Sequence, residues 1–197
     1  MFLKSFLFTI LLLGCGLVEV TRAQRDFRVV DRERGFSIIR PPHSEASGRP
    51  GSVLDFTGDK KIYGENARYV ITSVHPFSTN VEDAEGNMKK ELMLKAFEDH
   101  ITEALKSVFP DLHSTGRGFI YLNQRPAVHG TFTFTASNRP MKGRYMILMV
   151  KELSSFYSFT WSSEERYFAE WNRLAEISTA SLKILPQPRP GPREAER

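Results

Sequence analysis

The sequence predicts an α+β fold, in which helices flank both faces of an antiparallel sheet of six to seven strands. Three observations predict it. Short turns separate four β-rich segments late in the chain, which indicates an antiparallel meander. Residues 145–150 are apolar at every position, as expected of a strand covered on both faces. Two long segments carry apolar residues every three or four positions and therefore predict the covering helices.

The first part of the chain has β-rich segments bounded by prolines, glycines and polar loops. Pro41-Pro42 directly follows one such segment, and proline ends a strand because it lacks a donor for the next hydrogen bond of the ladder. The predicted strands are residues 27–30, 35–40, 53–57 and 67–75, and the predicted loops are residues 43–51 and 81–87.

The two helices are predicted at residues 88–109 and 162–182. Asn87 is a suitable N-cap for the first helix, and Pro110 ends it. Ser162 and Glu165 have the spacing of a capping box at the start of the second helix. Its apolar face comprises Phe168, Trp171, Leu174, Ala175 and Ser178.

The meander strands lie between the two helices. They are predicted at residues 118–122, 127–136, 143–151 and 155–161. Glycine at position 130 indicates a bulge or a close approach of another group to the backbone. A short extended segment is predicted at residues 184–185. The predicted organisation is a leader (1–23), a charged lead-in (24–34), one domain (35–185) and a disordered tail rich in proline and arginine (186–197).

The first 23 residues resemble a signal peptide, with Lys4 followed by an apolar run that is too short to span a bilayer. The signal peptide could end at either of two sites. Small residues at Thr21 and Ala23 favour cleavage before Gln24, whereas residues 12–15 resemble a lipobox in which Cys15 would be lipidated. An uncleaved N-terminal helix is a third, less favoured interpretation. The protein is therefore predicted to be exported, either periplasmic or secreted, or lipid-anchored through Cys15.

Composition argues against several further classes of function. Cys15 is the only cysteine, so the mature domain has no internal disulfide, no thiol nucleophile and no cysteine metal ligand. The net charge is only +4, and lysines and arginines are dispersed, which argues against a nucleic-acid partner.

The order of elements resembles the PsbP-like family, which shares its fold with the Ran-binding Mog family. The matching segments are Gly35-Phe36-Ser37-Ile38 before Pro41-Pro42, residues 67–75, the mid-chain helix, residues 144–150 and 156–161, and Ser181-Leu182-Lys183-Ile184. The match covers residues 35–185. The resemblance implies a PsbP/Mog-like sandwich and a bacterial, extracytoplasmic, non-enzymatic factor that assists membrane complexes. No residue supports a photosystem partner.

No motif for catalysis is present. The five histidines show no metal-ligand spacing, and no serine lies in a nucleophile motif. His100 is interpreted as a half-buried residue at the flank of the helix, and His129 as a packed strand residue. The sequence therefore predicts no catalytic residue, no metal and no cofactor.

Basic residues gather at one end of the predicted meander, because successive turns alternate between its two ends. These residues are Arg117, Arg139, Lys142 and Arg144. They are candidates for binding an acidic partner or anionic headgroups. The alternative is a set of solvated charges on hairpin tips.

The sequence favours a non-catalytic binding or assembly factor that acts on an envelope protein complex. Two alternatives remain open. One is an envelope hydrolase whose site assembles only in three dimensions. The other is a lipoprotein that binds a small apolar ligand between sheet and helix.

Overall fold

The computed structural model describes residues 27–48, 52–74, 86–150, 153 and 155–186. The described residues form two compact units. One lies within Met1–Arg40 and Ser181–Arg197, and the other lies within Pro41–Ala180. The leader with Cys15, the acidic residues 81–85 and residues 187–197 lie outside the described residues, so the predictions made for them remain predictions.

The described residues of the first unit, 27–40 and 181–186, form a three-stranded antiparallel sheet. Its strands are β1 (Arg28–Asp31), β2 (Phe36–Ile39) and β10 (Lys183–Ile184), with β2 in the centre. The Ile39 amide donates a 2.7 Å hydrogen bond to the Ser181 hydroxyl, which fastens the end of β2 to the segment before β10. The strands predicted at residues 27–30 and 35–40 are therefore present.

The larger unit contains a seven-stranded sheet in which every neighbouring pair is antiparallel. Its order is β3-β4-β5-β9-β8-β7-β6. The strands are β3 (Ser44–Ala46), β4 (Leu54–Gly58), β5 (Arg68–Val74), β6 (His113–Leu122), β7 (Arg125–Ala136), β8 (Arg139–Val150) and β9 (Ser155–Glu164). The last four strands form the predicted meander, and β9 joins it to β5.

Helices cover both faces of this sheet. They are the short α1 (Lys60–Tyr63) and the long α2 (Gly86–Val108) and α3 (Glu165–Ala180). Tyr145 of β8 bonds to Glu98 of α2, whereas its neighbour Arg144 bonds to Glu176 of α3. Successive strand residues point to opposite faces, so the two long helices lie on opposite sides. The predicted α+β architecture is confirmed.

Residues 145–150 are buried at every position, which confirms β8 as a central strand. On the α2 face, Ile147 belongs to an apolar cluster with Leu94 of α2 and Phe132 of β7. On the α3 face, Trp171 is fully buried, and its ring nitrogen donates a 3.0 Å hydrogen bond to the Arg68 carbonyl.

The start of α3 differs from the prediction. Ser162 lies in β9 and pairs with Arg68 of β5, and the helix begins only at Glu165. The capping-box prediction is therefore wrong, because strand pairing holds Ser162 in the extended conformation. Asn87 is likewise not an N-cap, since α2 begins at Gly86.

Several strand boundaries also differ. Part of the predicted loop 43–51 is strand β3, which pairs with β4. Strands β6 and β8 begin five and four residues earlier than the predicted positions 118 and 143, at His113 and Arg139. The turn before β8 needs only Ser137 and Asn138, both with positive φ (52° and 59°), as in a tight hairpin whose twist matches its strands. Pro140 is therefore a strand residue, paired with Thr135.

Candidate functional site

A cleft of about 350 Å³ opens on the α2 face beside the edge strand β6. Lys95 and Glu98 line it from α2, where a spacing of three residues puts both on one side of the helix. Arg117 and Phe119 line it from β6, where a spacing of two puts both on one face of the sheet. Gly118 and Val128 complete the lining.

The inner wall of the cleft contains a buried polar pair. Glu98 is only 5% exposed, and its carboxylate accepts a hydrogen bond from the buried hydroxyl of Tyr145. Burial raises the pKa of the Tyr145 phenol, and the hydrogen bond to Glu98 and its negative charge raise it further. Tyr145 therefore stays protonated through the neutral range and remains a hydrogen-bond donor.

Two glycines make room for the aromatic side chains beneath α2. Gly130 pairs directly with Tyr145, and a Cβ atom on Gly130 would lie 2.3 Å from the tyrosine hydroxyl oxygen. Gly143 pairs with Phe132, and a Cβ there would lie 2.3 Å from the phenylalanine ring. The close approach predicted at Gly130 is thus confirmed. The bulge lies elsewhere, in β6 between Ser114 and Gly116.

Strand β6 forms one edge of the sheet, with β7 as its only neighbour among the described strands. Two aromatic side chains on it are open to solvent: Phe119 is 40% exposed and Tyr121 is 61% exposed. Their rings contact edge to face, with centroids 5.4 Å apart. Alternation along the strand places Arg117, Phe119 and Tyr121 on the α2 face. Among the described strands, the edge thus combines a backbone side that no strand pairs with and a row of one basic and two aromatic side chains.

The accessible charge at the cleft is positive. Lys95 and Arg117 are exposed, whereas Glu98, the one acidic residue among the described residues that line the cleft, is buried against Tyr145. The positive charge of Arg117 lowers the pKa of Tyr145, although burial outweighs this effect. An incoming group therefore meets two cations and an aromatic ring.

The four basic residues singled out in the sequence do not share one face. Lys142 and Arg144 pair with Thr133 and Thr131 on the α3 face. Arg117 pairs with Gly130, which in turn pairs with Tyr145, so Arg117 lies on the α2 face. The alternation of turns in the meander predicted that these residues lie at one end of the sheet, but it did not predict which face each side chain occupies.

Two of these cations have carboxylate partners. Arg139 forms an ion pair with Glu164, and Arg144 forms one with Glu176. The Lys142 ammonium lies over the ring of Phe168, 5.5 Å from its centroid. Of the four, only Arg117 lines the cleft beside β6.

Glu164 is the centre of a second cleft, of about 640 Å³, which Arg139 and Arg166 also line. Arg166 contacts the Glu164 carboxylate at 2.8 Å, in addition to the Arg139 pair. Burial alone would raise the pKa of Glu164, but hydrogen bonds from the two guanidinium groups outweigh it and hold the pKa below its usual value. This cluster ties the end of β9 to β8, and we assign it a structural role.

The histidines do not form a reaction site in the described residues. His100 is exposed on α2, not half-buried as predicted, because its side chain points away from the sheet-facing side of the helix. His129 Nδ1 lies 3.4 Å from an Arg144 nitrogen, and burial followed by this positive charge lowers the His129 pKa. In the part of the chain that the structure describes, no three His, Cys, Asp or Glu residues are grouped to hold a metal. No described helix is long and apolar enough to cross a membrane.

Five residues of the cleft and its surroundings were not singled out in the sequence: Lys95, Glu98, Phe119, Tyr121 and Tyr145. The available signal was the alternation Arg117, Phe119, Tyr121, which places a charged and two aromatic residues on one face of a single strand. Tyr145 is part of the apolar run and resembles any core residue until its partner is seen.

No protein-family model matches the chain, and no curated protein is similar to it in sequence. Its fold is nevertheless shared with solved structures. Cyanobacterial PsbP (CyanoP) from Synechocystis sp. PCC 6803 aligns with a TM-score of 0.54 at 11% identity, over 80% of this chain and 91% of that chain. The Ran-binding protein Mog1p of Saccharomyces cerevisiae aligns with a TM-score of 0.54 at 8% identity, over 80% of this chain and 94% of that chain. The predicted PsbP/Mog-like fold is therefore confirmed.

Proposed function

We propose that the protein is a non-catalytic binding or assembly factor that acts outside the cytoplasm on an envelope protein complex. One observation carries the proposal: an exposed edge strand presents two aromatic rings beside a basic cleft. Aromatic residues and arginine are enriched at protein interfaces, where they supply most of the binding energy.

The chemistry of the cleft supports binding over catalysis. Among the described residues, its lining includes no histidine, cysteine or serine. Glu98 is engaged by the phenol of Tyr145, whose raised pKa makes it a poor general acid at neutral pH. The exposed lining groups are two cations and an aromatic ring, which suit recognition of an anionic and apolar surface.

The place of action rests on the predicted leader. Residues 1–23 have the pattern of an export signal, which would deliver the chain to the envelope. The fold is compatible with a role in protein binding, because one solved protein that shares it is a Ran-binding protein.

The proposal is tested on the full chain, expressed with an affinity tag at its C-terminus in a diderm bacterium. Cells are fractionated, treated with a membrane-permeant crosslinker and purified under denaturing conditions. We expect the protein in the envelope fraction, crosslinked to a defined set of envelope proteins. A chain lacking residues 1–23 serves as the matched control and should stay in the cytoplasm without these partners. Recovery of the full chain from the cytoplasm, or without any crosslinked partner, contradicts the proposal.

A further inference from the structure

We propose that β6 binds an extended, acidic segment of the partner protein, which adds to the sheet as an eighth strand. The inference deepens the proposed function and rests on it. Acidic side chains of the added strand would meet Lys95 and Arg117, and its apolar side chains would lie against Phe119 and Tyr121.

The backbone of β6 makes strand addition possible. An edge strand presents a row of unpaired N–H and C=O groups, and a long, apolar edge is a liability unless something protects it. The other edge strand, β3, has only three residues, whereas β6 has ten. The bulge between Ser114 and Gly116 protects the first half of β6, because a bulge interrupts regular pairing. Residues 116–122 pair regularly with β7 and are therefore a usable edge.

The side chains indicate the kind of strand that fits. A residue of an added strand faces its partner at about 4.5–5.5 Å between Cβ atoms, and opposite charges or apolar side chains in these pairs are favourable. Arg117, Phe119 and Tyr121 occupy alternate positions on one face, so the added strand should place an acidic residue two or four positions from apolar ones. Lys95 lines the same cleft from α2 and adds a second positive charge.

Charge argues for an acidic protein segment over a second copy of this chain. A second copy would bring its own Lys95 and Arg117 to the same surface, whereas an acidic segment neutralises both. A lipid bilayer is also a poor occupant, because hydrocarbon leaves the backbone groups of the β6 edge unpaired.

The first test measures binding of defined peptides to the purified chain lacking residues 1–23. The probe is a fluorescein-labelled octapeptide with glutamate at positions 2 and 8, valine at positions 4 and 6 and threonine elsewhere, so that its acidic and apolar side chains share one face. One control peptide replaces glutamate by lysine, and another carries N-methyl groups on alternate residues, which remove backbone donors. We expect anisotropy to show binding of the acidic peptide, at least about tenfold weaker binding of both controls, and slower amide exchange in residues 116–122. Equal binding of the N-methylated peptide, or unchanged exchange in β6, overturns strand addition.

Variants locate the site on the chain. Arg117→Glu should weaken binding of the acidic peptide about tenfold or more, and Arg117→Lys should retain most of it. Phe119→Thr and Tyr121→Thr remove the rings but keep a β-former, so folding is preserved. Ile177→Ala is the matched control, because Ile177 is also exposed (46%) but lies on α3. If Ile177→Ala weakens binding of the acidic peptide as much as Tyr121→Thr does, the assignment of the binding site to β6 is overturned.

The second test separates this inference from the proposed function. A photocrosslinking amino acid is placed at Tyr121 or at Ile177 in the full chain in cells, and the captured segment is sequenced by mass spectrometry. Capture at position 121 of an acidic segment with alternating apolar residues supports both proposals. Capture of a partner only at position 177 overturns the inference and leaves the proposed function standing. Capture at neither position overturns the inference and leaves the proposed function to the envelope crosslinking experiment.

The same experiments would also reveal two other binding partners of β6, a second copy of this chain and a membrane surface. A crosslink at position 121 to another copy of this chain, with a dimer by analytical ultracentrifugation, identifies β6 as a self-association edge and overturns the inference. Binding to phosphatidylglycerol vesicles that is lost in Phe119→Thr, without peptide binding, identifies a membrane surface and also overturns it.

Discussion

Tyr145 in the central strand β8 donates its phenolic hydrogen to Glu98 of helix α2, and both side chains are buried. The pair lies beside an apolar cluster and satisfies a carboxylate that would otherwise be costly to bury. It ties the helix to the sheet directly behind the cleft at β6. The geometry of the cleft therefore depends on a contact between residues 47 positions apart in the sequence.

Removing the acceptor of this pair should destabilise the protein. Glu98→Ala removes the carboxylate that accepts the hydrogen bond of the buried Tyr145 hydroxyl, which costs about 1–3 kcal/mol of unfolding free energy. Glu98→Gln keeps an acceptor oxygen and should cost less. Urea unfolding at pH 7 measures the free energy of unfolding of both variants. A larger loss of this free energy in Glu98→Gln than in Glu98→Ala would contradict the assigned contact.

Adding a methyl group at Gly130 should displace the Tyr145 ring. The new Cβ would lie 2.3 Å from the hydroxyl oxygen, so Gly130→Ala should cost about 1–3 kcal/mol by overpacking. Gly116→Ala is the matched control, since its Cβ would meet only the Thr131 hydroxyl, at 3.3 Å. The check is thermal unfolding, combined with near-ultraviolet circular dichroism of the tyrosine band. Equal stability of the two variants would show that Tyr145 does not lie over Gly130.

The Glu164 cluster should contribute to acid sensitivity. Because the folded state holds the Glu164 pKa below its usual value, this carboxylate stabilises the fold at pH values above its unfolded pKa. That contribution is lost as pH falls through the lowered folded pKa. Urea midpoints measured between pH 7 and pH 3 should therefore fall less steeply in Glu164→Gln than in the parent chain. Glu103→Gln, on the exposed side of α2, is the control and should follow the parent curve.

The leader is predicted to end in one of two ways, and labelling distinguishes them. If cleavage follows Ala23, the mature chain begins at Gln24 and incorporates no palmitate. If Cys15 is lipidated, radioactive palmitate labels the protein, and Cys15→Ala abolishes the label. Intact-mass analysis of the purified envelope protein provides an independent readout. An unlabelled chain that keeps Met1 would contradict both endings.

Regular elements were predictable where a repeating pattern spans many residues. The apolar run of β8 identified a doubly covered strand, and spacings of three and four residues identified both long helices. Short elements were not predictable in this way. The strand at Ser44–Ala46 is too short for its pattern to differ from that of a loop, and it exists because β4 offers an edge for pairing.

Boundaries depended on partners that are distant in the sequence. Ser162 and Glu165 have good local capping spacing, but β5 and β8 extend β9 through Ser162 and delay the helix. Glycine at 130 signalled a close approach, yet which side chain approaches became known only from the pairing of β7 with β8.

By itself, the sequence determined the class of fold, the order of the meander and the absence of a cysteine from residues 35–185, because these follow from local periodicity, turn residues and composition. Only the tertiary structure decided that Arg117 shares a cleft with Lys95, while Arg139 and Arg144 form ion pairs with carboxylates. The physical reason is that strand register and helix packing set which distant side chains meet, and neither leaves a periodic signal in the chain.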